Sequence, residues 1–161
     1  MFTPEYIRDV VMPELARSGG ATVTTSPYGM PLQLLRMDQY QPPTWVVGFG
    51  SAYENAIDES AMTDVETVLR AANQSLMSVV QNSWSAVGFW IVELPWGEKY
   101  LIVEPVETFT NHYMAIDAAK RRDQEAIFNL TTEQVEEIMS VIASHYARDA
   151  KAEWLQDAIG E

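Results

Sequence analysis

The sequence predicts an α+β domain: a mainly antiparallel sheet of about five or six strands, helices packed on it, and a long C-terminal helix over residues 132–159. Three observations lead there. Apolar residues fill 47% of the 161 positions and aromatics 11%, enough for one packed core. The β-branched and aromatic runs come mostly in pairs joined by short turns, which makes hairpins and not a regular βαβ alternation. Two segments open on capping-box signatures and continue with apolar residues three and four apart. No repeat, low-complexity tract or linker divides the chain, so residues 1–161 read as a single domain, with the last helix free to project.

The elements follow in order. Thr3 is placed to cap a first helix, Pro4 suits its first position, and Phe2 can staple against Ile7. Tyr6, Ile7, Val10, Val11 and Leu15 form its inner face. Pro13 removes an amide donor and should bend or split the helix before Ser18-Gly19-Gly20 ends it. Three strands are expected next, over 21–25, 32–37 and 44–50, the first two joined by the turn Ser26-Pro27-Tyr28-Gly29. Residues 51–61 read as a loop.

Thr63-Asp64-Val65-Glu66 is a capping box that opens a helix to about residue 81, with Val65, Leu69, Ala72, Leu76 and Val79 on one stripe. The runs 87–92 and 100–103 are almost continuously apolar and are joined through Pro95-Trp96-Gly97-Glu98. They predict an antiparallel pair covered on both faces, or on one face plus a partner. A short helix over 112–122 and a brief strand over 125–129 follow. A second capping box, Thr131-Thr132-Glu133-Gln134, with Leu130 and Val135 as staple, opens the last helix. At the usual rise, 132–159 would be about 42 Å long.

The net charge is −13, from 23 acids and 10 bases. Acids are about 14% of residues and bases about 6%, so the chain is acidic through a shortage of Lys and Arg. A negative field disfavours nucleic acid and anionic membrane as direct partners and leaves a basic protein open. With no cysteine, disulfides, cysteine-ligated zinc and thiol nucleophiles are excluded. No apolar run reaches the length of a membrane span and no secretory signal opens the sequence, so a cytoplasmic protein is expected.

Catalytic signatures are missing. His145 and Asp149 lie four apart, but one imidazole and one carboxylate make a weak metal site. His112 and Asp117 do not share a helical face. Glu104 and Glu107 could be paired acids in a cleft, although two carboxylates without a histidine usually mark a solvated edge. Lys120-Arg121-Arg122 falls where cations complement a helix C-terminus. No catalytic, cofactor or metal residue is assigned, and no enzymatic activity is expected.

Two features point to a partner. Asp149, Glu153, Asp157 and Glu161 step by four along the expected last helix, against one another and, at its end, against the dipole. They form a negative stripe suited to a basic partner; the competing reading is an exposed face whose repulsion salt screens. Trp96, between Pro95 and Gly97, either stands exposed as a binding anchor or folds back over its strands.

The stretch 88–131 carries Gly88-Phe89-Trp90, Tyr100-Leu101-Ile102-Val103, Ala118-Ala119 and Gln124-Glu125-Ala126-Ile127-Phe128-Asn129-Leu130-Thr131. It resembles a pattern in small uncharacterised proteins of actinobacterial phages and other mobile elements, where a similar hairpin precedes a short helix and a segment like Gln-x-Ala-Ile-Phe/Tyr-Asp-Leu. Asn129 stands here where Asp is usual. The resemblance implies no activity and supplies no catalytic residues; it implies a mobile-element setting, in which small acidic proteins often block host defence machinery. The expected function is therefore a non-enzymatic acidic binding protein, an inhibitor of anti-restriction or anti-CRISPR type acting on a basic host protein. The alternative is a structural or accessory protein forming a homodimer or larger homo-oligomer through the long C-terminal helix.

Overall fold

A computed structural model describes residues 1–26, 28–37 and 41–138. The helical segment at the start is built of α1 (Pro4–Tyr6), a π turn over Ile7–Val11, and α2 (Met12–Ser18). Thr3 caps it by accepting the Tyr6 amide, and Gly19 closes it. The π turn ends two residues before Pro13, which has no amide N–H to donate to the carbonyl of Asp9 within that turn.

The strands are β1 (Gly20–Thr24), β2 (Gln33–Leu34), β3 (Trp45–Gly48), β4 (Asn55–Asp58), β5 (Ala86–Glu93), β6 (Lys99–Phe109), β7 (Ala126–Asn129) and β8 (Gln134–Glu137). Among the described residues the other α-helices are α3 (Val65–Gln81) and α4 (His112–Arg121), with a 3-10 turn over Ser51–Tyr53. All strand pairs are antiparallel, in the order β2-β1-β5-β6-β3-β7-β8, and the sheet curls into a half-barrel.

β6 organises the sheet. One edge pairs with β5 over 99–106. The other pairs with β4 over 100–103 and with β3 over 106–109. β3 and β4 are thus two pieces of one interrupted strand, and residues 49–54 leave the sheet opposite Glu104 and Pro105. Pro105, which cannot donate to a ladder, stands at this changeover.

Side chains alternate between the two faces. Leu101 and Val103 point to the α3 side and pack with Val68, Ala72, Leu76, Val79, Phe89 and Ile7 in the largest core cluster. Phe109, Val47 and Ile127 continue that face under α4, against Ala115, Ile116 and Ala119. Ile102, Glu104 and Val106 point to the opposite face. There Val106, Val46, Ala86, Phe128 and Leu130 form a third cluster, with Leu35 and Met37 packed on it. Gly88 is required on this face: a Cβ there would lie 2.7 Å from a methyl carbon of the buried, β-branched Val106.

The structure corrects the expected fold class. Among the described residues the sheet has eight strands, not five or six, because β4 forms inside the expected loop 51–61 and β8 forms at the start of the expected last helix. The helix does not begin at residue 132. Asn129 Oδ1 accepts the amides of both Thr131 and Thr132, and Glu133 takes a left-handed backbone. Gln134, the residue a capping box would turn back onto Thr131, lies instead in β8 opposite Asn129, and Arg17, at the end of α2, holds the neighbouring Glu133 carboxylate at 2.7 Å. The expected staple also fails, since Leu130 is buried and Val135 is exposed. The rest of the expected helix, residues 139–159, lies outside the described residues. A smaller correction concerns α3, which is capped by Asp64 accepting the Thr67 amide and not by Thr63.

Candidate functional site: an acid-lined cleft at Glu104

The break between β3 and β4 lies along β6 beside Glu104. A cleft of about 350 Å³ lies there. Its acids are Glu54, from the excursion 49–54, Asp123 and Glu125, from the turn between α4 and β7, and Glu104, from the middle of β6. Trp90, Val92, Ile102 and Val135 supply apolar wall, and Ser51 and Gln124 complete the polar lining. Among the described residues, no Lys, Arg or His lines it.

Glu104 is the unusual member. Only 1% of it is exposed, and neither carboxyl oxygen has a hydrogen-bond partner. Desolvation disfavours its charged form, and the charge of Glu54 adds to the effect; together they push its pKa up to about 8. Gly48 makes the room: a Cβ there would sit 1.9 Å from Glu104 Oε1 and 2.6 Å from Gln124 Oε1. Two acceptor oxygens therefore face one small gap, an arrangement that suits a proton on Glu104 and penalises its ionisation. The amide of Gln124 turns its nitrogen the other way, toward Glu54 at 3.5 Å.

Two other carboxylates show what partnering does. Glu14 is 7% exposed, and its pKa is held below the usual range, chiefly by Arg17, with Arg36 also contributing. For Glu136 burial again pushes upward. Hydrogen bonds outweigh it: Asn129 Nδ2 donates at 2.8 Å, Trp45 Nε1 donates at 3.0 Å, and His112 Nε2 lies 2.8 Å away, so the pKa falls. His112 also stacks on Trp45, 4.5 Å between centroids. This His112–Glu136 group ties α4 to β3, β7 and β8.

The candidates read from the sequence fall as follows. Trp96 stands at the tip of the β5–β6 hairpin, 73% exposed, its Nε1 donating to Glu98 at 2.9 Å. Asp149, Glu153, Asp157 and Glu161 lie outside the described residues, as does His145. Glu104 and Glu107 are not a pair: they point to opposite faces of β6, and Glu107 binds Arg122 at 2.5 Å. Nor is Glu104 on a solvated edge. Arg122 does more than complement a helix end, since it also donates to the Gly48 carbonyl at 3.3 Å and stacks over Phe49 at 4.4 Å. That links the turn after α4 to the strand end beside the cleft. A signal for Glu104 was present: it is the one charge between the apolar residues 101–103 and 105–106.

Among the described residues, no group of three or more His, Asp or Glu is placed to hold a metal ion, and no helix is long and apolar enough to cross a membrane. No family model, curated protein or solved structure matches the chain. No comparison assigns it a reaction. Chemically, the cleft can hold a proton on Glu104, or exchange that proton for a cation.

Proposed function

We propose that the chain is a non-enzymatic binding protein that receives a basic surface of another protein on the acid-lined cleft. One observation carries this: among the described residues four acids and no base line the cleft, and the innermost acid has no hydrogen-bond partner. A buried polar group without a partner is costly, and a cation arriving from outside removes that cost. The rim acids Glu54, Asp123 and Glu125 are exposed and favour fast encounter with positive charge. Trp96, exposed at a hairpin tip, adds an anchor of the kind that dominates interfaces. In the mobile-element setting implied by the resemblance, the partner is a basic component of a host restriction or CRISPR system.

The test is capture of basic host proteins on the immobilised chain, compared with a variant carrying Glu54→Lys, Asp123→Lys and Glu125→Lys. The expected result is a basic partner released by salt from the wild type and not retained by the variant. Equal retention with the same salt dependence would remove the cleft from the account.

A further inference from the structure

We infer that the cleft is a receptor for one protonated amine or guanidinium carried on an aliphatic stem, with Glu104 receiving the charged head. This rests on the proposed function and narrows it from a basic surface to a single group, of the kind a lysine or arginine side chain presents. The volume of about 350 Å³ admits one such chain and not a folded element. Val92, Ile102 and Val135 offer apolar contact to methylene groups, and Trp90 offers an aromatic face to the cation. The acids are graded, exposed at the rim and buried at the floor, so the charge is drawn inward and loses water last.

Glu54 faces Glu104 from the excursion 49–54, and Asp123 and Glu125 from the turn before β7. β3 presents Gly48, β5 presents Trp90, and β8 presents Val135. The Arg122 guanidinium is engaged by Glu107 and the Gly48 carbonyl. The exchange balances: the Glu104 O–H bond breaks, its proton leaves to solvent, and the resulting carboxylate accepts an N–H of the entering cation. No redox partner is needed.

The probes are n-butylammonium and butylguanidinium, with n-butanol as the neutral control, titrated calorimetrically near neutral pH in two buffers of different ionisation enthalpy. Saturable binding of the cations is expected, tighter than butanol by roughly tenfold or more. About one proton should be released per cation bound, seen as a buffer-dependent heat. Glu104→Gln replaces a neutral acid by a neutral amide of the same shape; it should weaken cation binding by roughly tenfold or more and abolish the proton release. Cation binding no tighter than butanol, or unchanged in E104Q, would overturn the inference. The two proposals fail separately. A partner lost on reversing the three rim acids but fully kept by E104Q sinks the single-cation site and leaves the proposed function standing. A partner indifferent to the rim acids sinks the function, whatever butylammonium does.

Discussion

Glu104→Gln is expected to stabilise the protein by about 4 kcal/mol above pH 8 and to change its stability little near pH 5. In the folded chain the Glu104 carboxyl titrates at about 8, above its ordinary value of 4.5. Between those two values the folded state holds a proton that the unfolded state has released. The group's contribution to stability is therefore full below the ordinary value, falls as pH rises through the window, and is lost above the folded value. The glutamine is neutral throughout, so the gain over wild type grows with pH. Its amide N–H can also donate toward Gln124 Oε1, across the gap that Gly48 leaves open. Urea unfolding of both proteins from about pH 5 to 9 checks this. Parallel stability curves would mean that Glu104 ionises as an ordinary carboxylate.

Glu136→Ala is expected to act in the opposite sense, destabilising by about 2–4 kcal/mol at neutral pH. Removing the carboxylate leaves Trp45 Nε1 and Asn129 Nδ2 without their acceptor and takes a partner from His112. Because the Glu136 pKa is lowered, its contribution is present above the ordinary carboxylate value and is lost as pH falls through the folded one. The penalty should therefore shrink in acid, where wild-type Glu136 is itself protonated. Unfolding followed from neutral pH down into acid separates this from a general packing loss, which would not depend on pH. The two glutamates show that burial alone does not set the sign; the count of donors does.

The elements legible in the sequence are those whose signals are local. Pro4 and Thr3 at a helix start, the apolar stripe of α3, and the paired runs around Phe89 and Leu101 depend on neighbours within a few residues. β4 was not legible, because only Ile57 of its four residues is buried and the strand exists through its pairing with β6. The apolar run that marks β6 in the sequence stops at Val103, whereas the strand continues to Phe109. In the sheet Pro105 sits where the edge changes partner, Glu107 has Arg122, and Glu104 has the space left by Gly48. The box at Thr131–Gln134 met the local rules for a helix, and the long-range pair Arg17–Glu133 together with the Asn129 turn made a hairpin of it. The cleft was hidden for the same reason: its acids come from residues 54, 104, 123 and 125, which only the curl of the sheet brings together.

The most direct test of the Glu104 account is to titrate the Glu104 carboxyl carbon by NMR in ¹³C-labelled protein, assigned by comparison with Glu104→Gln. A midpoint near 8 in the free protein, falling when butylammonium is added, is the predicted result. A midpoint near 4.5, unmoved by the cation, would contradict it.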